Sequence, residues 1–187
     1  MRIKEILTHR EIKRVTAEPD LTRAAVLLPL FLKDDSYHVL FTKRTDRVKH
    51  HKGEISFPGG ISETSDEDLL ATALRETHEE VGVKPEDVEI WGEMDEVVTM
   101  SNFIVSPFVG LIPYPYPFDT CSEEIEELIL LPLGCFHKEG ILAEEYRTYQ
   151  DKTQLVYIYH CGRHIIWGAT AKILKQFLDL ISGEGLR

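Results

Sequence analysis

The chain has 187 residues, the size of one domain with a sizeable hydrophobic core, so we expect 1–187 to fold as a single domain. Hydrophobic residues make up 43% and charged residues 28%, a balance that excludes a disordered tail. The formal net charge of −11 argues against a general nucleic-acid binder, and the longest apolar run, 24–32, is too short to span a bilayer.

The first predicted elements are a short amphipathic helix over 1–15 and a hairpin of two strands. The apolar run 23–32 predicts a buried strand, and Pro29 within it predicts an edge strand or a bulge. A polar turn separates it from a second strand at 37–42. A basic loop follows and ends in the Phe-Pro-Gly-Gly run at 57–60, where glycine allows close approach of the backbone.

The next predicted element is a helix that ends at Gly82. We expect Thr64 or Ser65 to cap it, because three acidic residues then fall in its first turn. Helical spacing predicts a buried stripe formed by Leu70, Leu74, Thr77 and Val81.

The remainder of the chain predicts six further strands and a closing helix. The strands are predicted at 88–93, 95–99, 104–111, 127–131 and in a hairpin of 154–160 and 164–167, with the helix at 169–181. Strands mixed with a few helices predict an α/β sandwich.

Cysteine spacing and the N-terminal residues favour a cytoplasmic location. Cys121, Cys135 and Cys161 have no C-x-x-C spacing, so we expect reduced thiols and no zinc site. The first residues lack the charged head and apolar stretch of a secretion signal.

The strongest chemical signal lies in the helix. Glu76, Glu79 and Glu80 are predicted to share a face away from the buried stripe, where like charges repel. A divalent ion such as Mg²⁺ or Mn²⁺ would offset that repulsion, since hard cations prefer carboxylate oxygens. Arg75 is placed to orient Glu79, whereas His78 is expected to pack. The alternative is an acidic face that is merely solvated.

The loop before the glycine pair is basic in an otherwise acidic protein. Its cationic residues are Lys43, Arg44, Arg47, Lys49, His50, His51 and Lys52. The basic loop, the glycine pair and the acidic helix follow one another in the sequence. This order is typical of a site for a phosphate ester, because metal ions and guanidinium groups both neutralise phosphate oxygens. Arg44, Arg47, Lys49, Gly59 and Gly60 are therefore candidate substrate contacts, together with Phe103 at a predicted loop.

The helix resembles the signature of the Nudix hydrolases, G-x5-E-x7-R-E-U-x-E-E-x-G-U with U aliphatic. Residues 75–83, R-E-T-H-E-E-V-G-V, fit its second half, with Thr77 at an aliphatic position. Counted back from Arg75, the glutamate of the signature falls on Glu67. Its glycine falls on Ile61, one residue after Gly60, so the segment from Gly60 is one residue longer than the general pattern.

That longer segment resembles the coenzyme A diphosphatase branch of the family. The branch pattern L-L-T-x-R-[SA]-x3-R-x3-G-x3-F-P-G-G lies over 40–60 with three departures, Phe41, Thr45 and Lys49. Lysine lacks the bidentate fork of arginine, and Arg47 is placed to compensate for Lys49.

The resemblance implies a Nudix-type α/β/α sandwich with a mixed sheet, and hydrolysis of the diphosphate in coenzyme A or acyl-CoA. It implies Mg²⁺ or Mn²⁺ held by Glu76, Glu79 and Glu80, with the Gly60 carbonyl as an extra ligand. For the general base it implies Glu127 first and Glu124 second. It also implies a homodimer.

Two other functions stay open at this stage. The same chemistry fits ADP-ribose, a dinucleotide or a nucleoside triphosphate as substrate. A non-catalytic module that senses a nucleotide is the second alternative, although intact Glu76, Glu79 and Glu80 argue against it.

Overall fold

A computed structural model describes residues 2–16, 20–46, 53–149 and 152–183. The helices are α1 (Arg2–Thr8), α2 (Leu69–Val81) and α3 (Gly168–Ser182). The strands are β1 (Thr22–Lys33), β2 (Ser36–Arg44), β3 (Ile55–Ser56), β4 (Gly59–Ile61), β5 (Glu89–Glu93), β6 (Val97–Val98), β7 (Phe103–Leu111), β8 (Ile125–Pro132), β9 (Leu142–Tyr149), β10 (Lys152–Cys161) and β11 (His164–Trp167).

The main sheet is mixed, as the family resemblance implies. Its strands follow the order β3-β2-β1-β7-β5, with β4 added to β1, β6 to β7 and β8 to β2. Strands β1 and β7 pair in parallel from Thr22–Phe103 to Leu30–Leu111, and β1 pairs with β2 and β4 in antiparallel orientation. The second sheet has the order β11-β10-β9.

The sandwich prediction is confirmed by the way alternate residues of β1 face different helices. Ala25 and Leu27 pack with Ala73 of α2 on one face. Leu28 belongs to the larger core on the opposite face, which also contains Phe177 of α3. Successive side chains of a strand point to opposite faces, so one central strand holds both helical layers.

Pro29 does not mark an edge, because β1 is the central strand of the main sheet. On the side of β1 away from β7, pairing with β4 ends at Val26 and pairing with β2 begins at Leu30. Pro29 therefore lies where its missing N–H interrupts no pair on that side.

Short or exposed elements depart most from the predictions. Helix α1 ends at Thr8, β6 spans two residues of the predicted 95–99, and β4 forms within the predicted loop. Strand β9 was not predicted, because its exposed charged residues show no alternation and its pairing with β10 defines it.

The prediction of reduced thiols is wrong for two of the three cysteines. Cys135 and Cys161 form a disulfide with a Cα–Cα distance of 6.1 Å, whereas Cys121 is free. The 26-residue separation hides this pair from the sequence, and the fold brings the turn 133–137 against β10. Among the described residues, no helix combines the length and apolar character needed to cross a lipid bilayer.

Candidate active site

Helix α2 begins later than predicted and ends at the predicted residue. Its cap is Asp68, whose carboxylate accepts a hydrogen bond from the Ala71 N–H at 2.7 Å, so the predicted caps Thr64 and Ser65 are wrong. Gly82 ends the helix with φ of 75°, a left-handed conformation that favours glycine.

The buried face of α2 is rotated relative to the predicted stripe. Its buried residues are Thr72, Ala73, Thr77, Glu80 and Val81. Leu70 and Leu74 are only partly buried, and His78, which was expected to pack, is exposed. Glu80 was predicted to lie off the buried face, but the rotation places it inside.

Arg75 is the centre of a dense network beside the start of α2. It donates from Nε to Asp66 Oδ1 at 2.9 Å, and from Nη1 to Glu76 Oε1 at 2.9 Å and Glu79 Oε2 at 3.0 Å. Asp66 also accepts from the Thr72 hydroxyl at 2.8 Å. Hydrogen bonding from Arg75 holds the pKa of Asp66 far below its usual range, and the same bond raises the pKa of Arg75.

The two glycines of β4, Gly59 and Gly60, pack closely against β1 and the Glu76 side chain. A Cβ atom at Gly60 would lie 2.5 Å from Glu76 Cδ, and one at Gly59 would lie 2.6 Å from the Cα of Val26. Backbone atoms therefore exclude any side chain at Gly59, whereas a side chain at Gly60 would have to displace the Glu76 carboxylate. The close approach predicted for these glycines is toward β1 and the helix carboxylate.

Glu80 is a buried carboxylate with incomplete hydrogen bonding. Its side chain is 4% exposed, and Oε1 accepts from Arg44 Nη1 at 3.1 Å. Its Oε2 has no hydrogen-bond partner among the described residues. Burial raises the pKa of Glu80 to about 8, with Arg44 and the Gly59 backbone opposing the change and the negative charges of Glu76 and Glu124 adding to it.

The two candidate bases lie in different surroundings. Glu124 Oε2 accepts from Arg44 Nη2 at 3.3 Å, which links it to Glu80 through one guanidinium. Glu127 accepts from Arg163, near the second sheet. Glu124 is therefore brought to the helix carboxylates, whereas Glu127 is held by a different partner.

The remaining predicted site residues are dispersed. Glu79 is 58% exposed and bonds Arg75. Phe103, at the start of β7, is partly buried against the larger core. Arg47 and Lys49, like His50, His51 and Lys52, lie outside the described residues.

The described carboxylates do not form a cluster that could bind a metal ion. In residues 2–16, 20–46, 53–149 and 152–183, no three His, Cys, Asp or Glu side chains are grouped closely enough to hold an ion. Arg75 instead binds Glu76 and Glu79, and Arg44 binds Glu80 and Glu124. Burial raises the pKa of Glu76 as well as that of Glu80. The positive charges of Arg75 and Arg44 therefore do not fully offset the effect of burial on these two carboxyl groups.

Comparisons with known proteins identify the family. The NUDIX domain model matches residues 21–133. The chain belongs to the Nudix hydrolase family. The uncharacterized Nudix hydrolase NudL of Enterobacter sp. (strain 638) is 34% identical over 161 residues, which cover 82% of this chain and 80% of that protein.

Solved structures agree on the fold of this Nudix hydrolase. A MutT/nudix family protein from Enterococcus faecalis matches with a TM-score of 0.60 at 15% identity, over 94% of this chain and 66% of that one. The NUDIX domain of Shewanella oneidensis NrtR, solved with ADP ribose, matches with a TM-score of 0.50 at 21% identity, over 64% of this chain and 80% of that one.

Nudix diphosphatases use divalent metal ions, and the residues of this Nudix hydrolase fit such an ion. The unpartnered Oε2 of Glu80 is a buried carboxyl oxygen, and Glu76 lies one turn earlier in the same helix. Both are hard oxygen donors of the kind Mg²⁺ and Mn²⁺ prefer.

Asp66 is the site residue that the sequence analysis missed. It was grouped with the first turn of the helix, but it lies before the cap and holds Arg75 from the side opposite Glu79. Its sequence signal is weak, because the adjacent Glu67 and Asp68 carry the same charge.

Proposed function

We propose that this Nudix diphosphatase hydrolyses the diphosphate of coenzyme A or acyl-CoA, giving adenosine 3′,5′-bisphosphate and (acyl-)4′-phosphopantetheine. The proposal includes Mg²⁺ or Mn²⁺ held by Glu76, Glu79, Glu80 and the Gly60 carbonyl. The observation that carries the metal site is the buried Glu80 carboxylate with one oxygen unpartnered among the described residues. An unpaired buried charge is costly, and a cation bound to it removes that cost.

The bound metal ion would polarise the diphosphate and lower the pKa of a water molecule. The chain's own residues position the carboxylates. Arg75 ties Glu76 to Glu79 and is itself held by Asp66, so it fixes the orientation of the helix carboxylates.

Glu124 is the better supported general base. A base must lie within reach of the attacking water, and Glu124 shares Arg44 with Glu80. Glu127 instead bonds Arg163 and does not share a partner with Glu80 among the described residues. Replacing each glutamate by glutamine separates the two assignments, because only the base should give a large loss of kcat.

Support for the coenzyme A substrate comes from the segment 40–60. Strand β2 ends at Arg44 beside Glu80, and the Phe-Pro-Gly-Gly run continues into β4 against Glu76. The described parts of the branch pattern at Arg44 and 57–60 therefore border the candidate metal site. Arg44, Gly59 and Gly60 are substrate-contact candidates there, with Arg47, Lys49 and Phe103 retained from the sequence.

The decisive test is a product analysis by mass spectrometry after incubation with coenzyme A and Mg²⁺ or Mn²⁺. The proposal expects adenosine 3′,5′-bisphosphate, with lower kcat/KM for ADP-ribose and NADH measured in parallel. Faster cleavage of ADP-ribose or NADH would reject the coenzyme A assignment.

A nucleotide-sensing role is the second candidate, favoured by the similarity to the NrtR domain solved with ADP ribose. Tight ADP-ribose binding by calorimetry, with no turnover of any substrate, would support it.

The proposal also includes a homodimer in the cytoplasm. Light scattering tests the dimer. Fractionation of the source cells tests the location, and recovery outside the cytoplasmic fraction would reject it.

A further inference from the structure

Arg44 reaches the carboxylates because the β2–β8 ladder is irregular at its position. Between the partners of Lys43 and Arg44, strand β8 contains one extra residue, Glu126. Such bulges redirect side chains and occur next to active sites. Lys43 bonds Glu126 at 2.9 Å, whereas the next residue, Arg44, bonds Glu80.

One guanidinium bridges two carboxylates from different elements. Arg44 donates to Glu80 of α2 at 3.1 Å and to Glu124, just before β8, at 3.3 Å. Glu76 and Glu124 both act electrostatically on Glu80, so three negative groups surround this part of the site. Arg44 supplies the positive charge that contacts two of them.

We propose that Arg44 is the internal counter-ion of the metal-free site, and that it releases Glu80 and Glu124 when Glu80 takes up a divalent cation. Its guanidinium is then free for the anionic substrate, so cation and substrate bind in that order. The inference rests on the proposed function, because it takes Glu80 as a metal ligand. Arg44 occupies Oε1 of Glu80 and the cation would take Oε2, so the two positive groups share one carboxylate and weaken each other's binding reciprocally.

Calorimetric titration with Mn²⁺ in the absence of substrate tests the competition. Arg44→Met keeps an apolar stem and removes the guanidinium, so we expect Mn²⁺ to bind about five-fold or more tightly than to the wild type. Lys43→Met is the matched control, since it removes the same charge from the adjacent residue. Its Mn²⁺ affinity should stay within about two-fold of the wild type, because Lys43 contacts Glu126.

Equal or weaker Mn²⁺ binding by Arg44→Met overturns the inference, and so does equal tightening in Lys43→Met, which would indicate a general charge effect. Glu80→Gln separates this failure from failure of the metal site. If Glu80→Gln leaves Mn²⁺ affinity unchanged, the proposed metal site itself is wrong. If Glu80→Gln weakens binding and Arg44→Met does not tighten it, only the counter-ion role fails.

A measurement on the wild type keeps the inference testable if Arg44→Met does not fold. The Nε–H resonance of Arg44, assigned by its loss in Arg44→Lys, should shift when Mg²⁺ is added. The resonance of Arg23, which is held by Glu96, should not move and serves as the internal control. An unchanged Arg44 resonance at saturating Mg²⁺ overturns the inference.

Discussion

Two buried glutamates, Glu80 and Glu96, differ in how their charge is compensated. Their side chains are 4% and 0% exposed. Glu96 accepts from Arg23 at 2.8 Å, the Ser106 hydroxyl at 3.1 Å and the Val15 N–H at 2.6 Å. Glu80 accepts from Arg44, and its Oε2 has no partner among the described residues.

The pKa values of these two carboxyl groups move in opposite directions. Burial alone raises the pKa of both, and at Glu80 it prevails, giving a pKa of about 8. At Glu96 hydrogen bonds from Val15, Arg23 and Ser106 outweigh burial and lower the pKa. Burial therefore does not distinguish the two roles. Glu96 ties the N-terminal segment to β1 and β7, whereas Glu80 retains an oxygen for an external cation.

Glu80→Gln should have the largest effect on catalysis, a loss of about 10³-fold or more in kcat, because it removes one anionic metal ligand. The amide has nearly the same shape and relieves a buried charge, so Tm should stay unchanged or rise. Steady-state kinetics and calorimetry measure both. Unchanged kcat would show that Glu80 is not part of the catalytic site and that its role does not differ from that of Glu96 in this way.

Gly60→Ala should lower kcat by about 10²-fold, because the new Cβ atom would displace the Glu76 carboxylate. Gly134→Ala is the matched control, since a Cβ atom there has no heavy atom within 4 Å. We expect near wild-type kinetics and Tm for the control. Equal kinetics for the two variants would show that the position of Glu76 is unimportant.

Asp66→Asn tests whether a carboxylate with all its hydrogen bonds made supports catalysis by holding Arg75 in position. It weakens the hold on Arg75, so we expect kcat to fall by about 10- to 100-fold. The exposed neighbour Glu67, changed to Gln, should leave kcat unaltered. If Asp66→Asn lowers only Tm, Asp66 belongs with Glu96 as a purely structural group.

The sequence predicts the long elements of this fold better than it predicts which face of helix α2 is buried. Strands β1 and β7 and the end of α2 follow from apolar runs and Gly82. The predicted stripe selected Leu74 for its hydrophobicity. In the structure, however, the smaller Ala73 lies against β1, where Ala25 also allows close approach. That rotation, which depends on the partner strand, buries Glu80.

The predicted site is recovered in its residue types and less in its arrangement. The R-E-x-x-E-E run identifies the acidic helix without any tertiary information. The contact of Arg44 with Glu80 and Glu124 depends on a β-bulge, and the role of Asp66 depends on a turn before α2. Arg44 lies 36 and 80 residues from Glu80 and Glu124, and Asp66 lies 9 residues from Arg75, so neither contact follows the spacing of a helix or a strand.

Glu96→Gln should have the smallest effect on chemistry and act on stability instead. Losing charge-assisted hydrogen bonds at a buried group should cost about 1–3 kcal/mol at pH 7, a Tm lower by about 2–10 °C. Because the pKa of Glu96 is lowered in the folded state, its contribution is present above the ordinary value of 4.5 and is lost as pH falls through the folded value. The Tm difference between wild type and Glu96→Gln should therefore shrink below pH 4.5. A difference that stays constant down to pH 3 would mean that the charge of Glu96 does not stabilise the fold.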